Sequence, residues 1–106
     1  MLMPALGNVE GLLIGGQRRP ALSGRAFETI DPATEAVIAR VAEADAADID
    51  AAVASARAAF EGAWGRMRAA ERGHALLRLA ALVSENEDEL VRLESLDSGK
   101  PVSAIR

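Results

Sequence analysis

Asp97 stands out among the acidic residues because it lies just before the C-terminal end of a predicted helix. The stretch Leu90–Pro101 reads LVRLESLDSGKP and carries leucines at helical spacing. Gly99 and Pro101 are typical of a helix that ends there in a left-handed turn. A carboxylate near the negative end of a helix is electrostatically unfavourable, which indicates a compensating partner. The alternatives are that Asp97 is solvated or that it hydrogen-bonds the turn itself.

Other residue types that catalyse reactions or bind metals are scarce or isolated. The chain contains no cysteine, which excludes a cysteine nucleophile and thiolate metal ligands within these 106 residues. His74 is the only histidine, so it forms no metal cluster by itself and is interpreted as exposed or lightly packed. Three arginines near predicted helix ends have the charge to contact a phosphate, but solvated charges are the ordinary explanation: Arg66, Arg68 and Arg72.

Two further motifs favour structure over chemistry. Asp45, Asp48 and Asp50 lack the glycine and the glutamate of an EF-hand loop and are placed to cap a helix. The segment Gly11–Gln17, GLLIGGQ, predicts a brief strand that turns at its two glycines. A phosphate-binding loop needs a third spaced glycine and a following helix, and neither is present.

Composition places limits on size, partners and location. A chain of 106 residues suffices for one small domain, and 3% aromatic residues predict a thin core. The net charge of −4 argues against a nucleic-acid surface. No apolar run is long enough to span a membrane, and no signal peptide is recognisable, so we predict no membrane partner and a cytoplasmic location.

The order of predicted elements is strands first and helices afterwards. Residues 1–10 are predicted to be a flexible leader. Three short strands are predicted within residues 11–42, the second being AFETI and the third AVIARVA. Three to four helices follow within residues 45–106: 45–62, 70–84, 86–99 with an Asn86 capping box, and an opening helix from Val102. This α/β arrangement predicts the first part of a larger unit, because so few strands need a packing partner.

Six pieces in this order resemble one known family: LLIGG, TIDPATEAVIARVAEA, DIDAAVASARAAF, a Trp, ERGHALLRLAALV and LESLDSGKP. Together they are similar to the N-terminal segment of the aldehyde dehydrogenase superfamily. The resemblance covers residues 11–106 and implies the N-terminal part of an α/β cofactor-binding domain that stops before the catalytic region. Asp31 stands where the family often has Asn, and Glu35 where many members have Gly.

The resemblance also implies a reaction. In that family a cysteine thiolate attacks an aldehyde, hydride passes to NAD or NADP, and a glutamate activates the water that releases the carboxylic acid. No position here matches those motifs, so no catalytic or cofactor-binding residue is carried over. The complete enzyme is expected to act on an aldehyde and to form a homo-oligomer, a dimer or a tetramer.

One ligand set is carried over from the family, a site for a monovalent cation. Its positions in this sequence are Thr29 and Ile30, which offer backbone carbonyls, and Asp97, which offers a carboxylate. Oxygen ligands suit a hard cation such as potassium or sodium. A further ligand is expected from beyond residue 106.

Two hypotheses for function therefore stand side by side. In the first, the chain is the N-terminal fragment of an aldehyde-oxidising enzyme, inactive alone. In the second, it is a non-catalytic helical module that binds a protein partner through an exposed leucine face. We expect the isolated chain to form no NADH from aldehydes and to melt over a broad temperature range.

Overall fold

The computed structural model describes residues 9–106 and gives an α/β arrangement. The strands are β1 (Val9–Glu10), β2 (Leu12–Ile14), β3 (Gln17–Arg19), β4 (Ala26–Ile30) and β5 (Val37–Ala42). The helices are α1 (Ala46–Glu61), α2 (Ala63–Arg66), α3 (Ala69–Glu85), α4 (Glu87–Ser98) and α5 (Val102–Ile105).

The larger sheet has three strands in the order β1-β5-β4, so β4 lies at one edge. β5 pairs in parallel with β1 and antiparallel with β4. The turn from β4 to β5 is tight, since the Asp31 N–H donates to the Ala36 carbonyl at 2.9 Å and the Glu35 N–H donates to the Asp31 carbonyl at 2.8 Å. Glu35 has a φ of 61°, the left-handed region that favours glycine.

The predicted leader is wrong at its last two residues. Val9 and Glu10 form β1, and their register opposes Arg40 and Val41 of β5. Residues 1–8 of the predicted leader lie outside the described residues. Two residues are too few to show the alternation of apolar and polar side chains that predicts a strand. β1 is defined only by its pairing with β5, which is remote in sequence.

The first predicted strand is the first half of a hairpin. β2 pairs antiparallel with β3, and Ile14 opposes Gln17 across a two-residue turn. Gly15 and Gly16 have φ values of 61° and 75°, as a primed hairpin turn requires. The turn was therefore predicted correctly. The strand after it was missed because its residues, QRR, show no apolar alternation.

Helix α1 begins as predicted, at an Asp45 N-cap. The Asp45 Oδ1 accepts from the Ala47 N–H at 3.1 Å, and the Asp48 Oδ2 accepts from the Asp45 N–H at 3.2 Å. Helix α2, a single turn, occupies part of what was predicted to be an irregular connector around Trp64. Helix α3 extends one residue beyond the predicted range at each end.

Helix α4 lacks the predicted capping box. The Asn86 side chain makes no cap hydrogen bond to α4, and its Nδ2 donates instead to the Leu82 carbonyl at 2.8 Å. Asn86 therefore closes α3 where the prediction had it open α4. The predicted end is correct, because Gly99 has a φ of 74° and its N–H donates to the Ser95 carbonyl at 2.9 Å.

The core of the described residues is small. The buried apolar side chains within residues 9–106 are Ala21, Ala42 and Val91. Much larger side chains on the helices are exposed, including Phe60 of α1 at 74% and Leu77 of α3 at 69%. The contacts between the sheet and the helices therefore bury little apolar surface.

Candidate functional site

The two predicted carbonyl ligands lie at the end of edge strand β4. Thr29 is half-buried and opposes Ala39 of β5, and Ile30 opposes Val37. The register shifts between Thr29 and Ile30, so the ladder is irregular at this point. A bulge near a strand end re-aims backbone groups relative to a regular ladder.

Asp31 follows these residues, and both of its carboxylate oxygens accept hydrogen bonds from residues of its own turn. Its Oδ1 accepts from the Ala33 N–H at 2.8 Å, and its Oδ2 accepts from the Thr34 hydroxyl at 2.8 Å. These hydrogen bonds, first that of Ala33 and then that of Thr34, hold the pKa of the Asp31 carboxyl below its ordinary value of 3.8. Asp31 is therefore a turn-forming residue, although it stands next to the predicted ligands.

Asp97, the predicted carboxylate ligand, lies exposed in the last turn of α4. Serine side chains satisfy the helix end beside it: the Ser98 hydroxyl donates to the Glu94 carbonyl at 2.6 Å, and the Ser95 hydroxyl donates to the Lys100 carbonyl at 2.7 Å. Within residues 9–106 the Asp97 side chain makes no hydrogen bond or ion pair. The alternative in which Asp97 bonds the turn is therefore wrong for the described residues.

A close contact joins the two segments that carry the predicted ligands. A Cβ added at Gly99 would lie only 2.9 Å from Cγ of Pro32, so the end of α4 rests against the turn after β4. Ile30 precedes Pro32 by two residues, and Asp97 precedes Gly99 by two. The fold thus brings together two stretches that lie far apart in sequence.

An open depression of about 620 Å³ lies beside this contact. It is bounded by the Asp31 turn, one side of α4 along its length, and α5, and it presents charges of both signs, among them Asp31, Arg92, Lys100 and Arg106. Arg106 pairs there with Asp88 and with Glu87. Thr29, Ile30 and Asp97 do not line this depression, so it is separate from the predicted ligand set.

The remaining candidates are accounted for by local structure. The Arg66 Nε donates to the Gly62 carbonyl at 3.3 Å, the Arg72 Nη1 donates to the Met67 carbonyl at 2.7 Å, and Arg68 pairs with Glu71. His74 lies exposed on α3. In the part of the chain that the structure describes, no three His, Cys, Asp or Glu side chains group as metal ligands, and no helix has the length and hydropathy to cross a bilayer.

Two features were missed in the sequence. Asp48 is 1% exposed, and its Oδ1 accepts from the Leu22 N–H at 3.2 Å, which ties the loop before β4 to the start of α1. Arg19 of β3 has its Nε and Nη2 buried without a hydrogen-bond partner among the described residues. The burial of both side chains depends on residues that are remote in sequence, so no local sequence pattern predicts it.

Comparison with known proteins decides the family. A model of the aldehyde dehydrogenase family matches residues 19–106. The chain belongs to the aldehyde dehydrogenase family. A mitochondrial benzaldehyde dehydrogenase from Antirrhinum majus is 55% identical over 91 residues, which are 85% of this chain and 17% of that protein. The aminoacetaldehyde dehydrogenase of Pseudomonas aeruginosa is 53% identical over 90 residues, or 84% of this chain and 18% of that protein.

Solved structures of aldehyde dehydrogenases share the fold. The NAD+ complex of the Bacillus cereus enzyme superposes with a TM-score of 0.87 at 48% identity, covering 92% of this chain and 20% of that chain. The predicted fold, the N-terminal part of an aldehyde dehydrogenase cofactor-binding domain, is therefore confirmed. The chain spans about a fifth of the length of the three relatives named here.

Proposed function

We propose that this aldehyde dehydrogenase segment serves an enzyme that oxidises an aldehyde to a carboxylic acid with NAD+ or NADP+. The observation that supports this most strongly is the match to the Bacillus cereus NAD+ complex, at 48% identity and a TM-score of 0.87. Agreement in both sequence and backbone over 92% of the chain favours a shared role in the subunit.

The part that these residues play is structural. The chain contains no cysteine, so a thiolate nucleophile for the aldehyde has to come from another part of the polypeptide. The only paired glycines, Gly15 and Gly16, close the β2–β3 hairpin and do not open onto a helix N-terminus, so they do not fit a dinucleotide phosphate. NAD+, when bound, supplies the hydride acceptor, and the described residues form the outer strands and first helices of the domain that binds it.

We also propose that Thr29, Ile30 and Asp97 contribute to a potassium or sodium site. The Asp97 carboxylate is exposed and makes no ion pair within residues 9–106, and the contact between Gly99 and Pro32 holds its helix end beside the end of β4. Backbone carbonyls and one carboxylate form an oxygen donor set that suits a hard monovalent cation. Such a cation would offset the unfavourable position of a carboxylate at a helix C-terminus.

A chimera tests the enzyme proposal. Residues 9–106 would replace the matching segment of the Bacillus cereus enzyme, and NADH formation from an aldehyde would be compared with that of the parent enzyme. We expect activity within about tenfold of the parent, because the backbones coincide and the chemistry lies elsewhere in the subunit. A chimera that folds, as judged by circular dichroism and oligomeric state, yet forms no NADH would contradict the proposal.

The second candidate function, a docking module without catalysis, is favoured by one observation, the exposed leucines of α3. The continuation of the reading frame discriminates between the two. A stop codon directly after Arg106, with a folded and stable isolated chain, would favour the docking module. A continuation that encodes a cysteine in a glycine-rich context would favour the enzyme.

Oligomeric state and location belong to the same proposal. We propose a homo-oligomer of the complete subunit, a dimer or a tetramer. The predicted cytoplasmic location remains a prediction, and the names of two relatives, from Antirrhinum majus and Leishmania tarentolae, describe them as mitochondrial. Fractionation of the source cells with an antibody against this chain tests the location.

A further inference from the structure

Two adjacent arginines of β3, Arg18 and Arg19, lie on opposite faces of the β2–β3 hairpin. Arg19 opposes half-buried Leu12, and residues that oppose each other across two strands share a face, so Arg19 lies on the inner face. Arg18 lies on the other face, where it is exposed and pairs with Glu10. The Arg19 Nε and Nη2 are buried and have no hydrogen-bond partner within residues 9–106. One arginine is therefore paired at the surface, and its neighbour has two nitrogens that neither water nor a described side chain satisfies.

The two unpaired nitrogens belong to the same edge of the Arg19 guanidinium. In an arginine side chain the Nε–H bond and one Nη2–H bond lie side by side in the plane of the group and point in the same direction. A carboxylate has two oxygens at the matching separation, so it accepts both hydrogens in parallel. A backbone carbonyl or a water molecule brings one oxygen to an edge that presents two donors. The arrangement of the donors therefore favours a carboxylate.

The charge of Arg19 requires an anion from elsewhere. Arginine does not lose its proton in a folded protein, and an unpaired charge is costly to bury, so buried arginines are found paired. Among the carboxylates of neighbouring elements, Glu10 pairs with Arg18, and the Asp48 oxygens accept backbone N–H groups in the loop before β4 and at the start of α1. Residues 1–8, MLMPALGN, contain no aspartate or glutamate. A carboxylate for Arg19 therefore has to come from outside this chain.

We propose that the Nε–Nη2 edge of Arg19 is a binding site for one carboxylate group, held by two parallel charge-assisted hydrogen bonds. Two sources offer this chemistry. One is an aspartate or glutamate side chain from the rest of an aldehyde dehydrogenase subunit, and the other is a dissolved carboxylate ion. The site goes beyond the proposed function, because Arg19 has no assigned role in the oxidation of an aldehyde.

The isolated chain tests for a dissolved ion, with acetate as the probe. Arg19→Lys keeps the charge but loses the two parallel donors, and Arg18→Lys is the matched control on the exposed face. Urea midpoints of the parent and both variants are compared in potassium acetate and in potassium chloride of equal ionic strength. Acetate that binds at Arg19 raises the midpoints of the parent and of R18K by more than that of R19K. Any general effect of acetate on folding is common to all three proteins and cancels in this comparison.

The chimera tests for a side chain of the subunit. If an aspartate or glutamate already occupies the edge, Lys at position 19 leaves that carboxylate with a single donor. We then expect the R19K chimera to unfold at least about fivefold faster at high temperature than the parent chimera, and the R18K chimera to unfold at the parent rate. Acetate should change the three rates equally, because the site is filled.

Two results overturn the proposal. One is that R19K and R18K behave alike both in the acetate comparison and in the chimera. The other is that R19K is less stable than the parent in the isolated chain in chloride, because Arg19 then stabilises the fold without any carboxylate. If the chimera does not fold, the acetate comparison alone decides. NADH formation is not a readout here, so an inactive chimera that R19K destabilises contradicts the proposed function and supports the carboxylate site.

Discussion

The Asp48 carboxylate accepts a hydrogen bond from the Leu22 N–H at 3.2 Å, across 26 residues of sequence. The same carboxylate accepts from the Asp45 N–H at 3.2 Å, so one buried side chain joins the loop before β4 to the first turn of α1. Asp48 is the most deeply buried side chain among the described residues, at 1% exposure. In a chain with so small an apolar core, this polar contact has a large share in holding the sheet against the helices.

Replacing Asp48 should therefore destabilise the chain strongly. Asp48→Ala leaves the Leu22 and Asp45 N–H groups, which are part-buried, without their acceptor, and this should lower the free energy of unfolding by about 1–2 kcal/mol. Urea unfolding followed by circular dichroism measures this. Asp50→Ala, on the exposed side of the same helix turn, is the control and should change stability by less than about 0.5 kcal/mol. Equal effects of the two substitutions would show that the helix dipole, and not the buried contact, is responsible.

Gly99 should resist substitution for two separable reasons. Gly99→Ala places a methyl group 2.9 Å from Cγ of Pro32 in a residue whose φ is 74°. We expect a loss of about 1–2 kcal/mol from the backbone, and more if the α4 end is forced away from the Pro32 turn. Gly16→Ala is the matched control, because Gly16 has a φ of 75° and no atom near its Cβ position. An equal loss at positions 99 and 16, by chemical denaturation, would mean that the contact with Pro32 yields freely.

Glu35 is a site where the chain can be stabilised. Its φ of 61° places a side chain in the left-handed region, so Glu35→Gly should raise the free energy of unfolding by about 0.5–1 kcal/mol. Glu35→Ala removes the carboxylate but keeps the backbone cost, and it should bring no gain. Thermal melts of the three proteins provide the measurement. If the alanine variant gains as much as the glycine variant, charge rather than backbone geometry sets the stability of this turn.

Asp31 makes stability depend on acid pH. Because its pKa is lowered in the folded chain, the unfolded chain takes up the proton first as the pH falls. The stabilisation is present above the ordinary value of 3.8 and is lost as the pH falls through the lower folded pKa. Asp31→Asn, which keeps one acceptor oxygen for the Ala33 N–H, should flatten the stability profile between about pH 5 and pH 2. An unchanged profile, measured by urea midpoints at each pH, would assign the acid dependence to other carboxyl groups.

The proposed cation site predicts a specific response to potassium or sodium. The chimera that carries residues 9–106 should melt at a higher temperature in potassium or sodium chloride than in tetramethylammonium chloride of equal ionic strength, since a bound ion stabilises the folded state. Asp97→Ala should abolish this difference. Glu94→Ala, which removes the nearby carboxylate that pairs with Lys100 at 3.3 Å, should preserve it. Loss of the ion response in both variants, or in neither, would remove Asp97 from the proposed ligand set.

Local chemistry in the sequence predicted the features that depend on a few neighbouring residues. The Asp45 cap, the Gly15–Gly16 turn and the left-handed Gly99 each rest on backbone rules that act within one turn, and the structure has all three. Asn86 shows the limit of such rules, because the same side chain can begin the following helix or close the preceding one. In the structure the Asn86 Nδ2 donates a hydrogen bond to the Leu82 carbonyl, so this side chain closes α3.

Features that depend on distant partners could not be predicted. The burial of Asp48 depends on Leu22, and β1 depends on β5, so neither shows in a local pattern. The cation ligands came from family resemblance, and the sequence itself singled out only Asp97, through its unfavourable place near a helix C-terminus.

The position of β4 at the edge of its sheet matters for synthesis of the polypeptide. Its outer side offers backbone groups that can pair with any extended strand, and the sequence AFETI carries no proline or lysine to discourage this. In a polypeptide as long as the relatives, several hundred residues remain to be translated, at about 5–20 per second, after this strand leaves the ribosome. During that interval the outer edge of β4 stays open to pairing with other extended strands, unless another part of the polypeptide covers it.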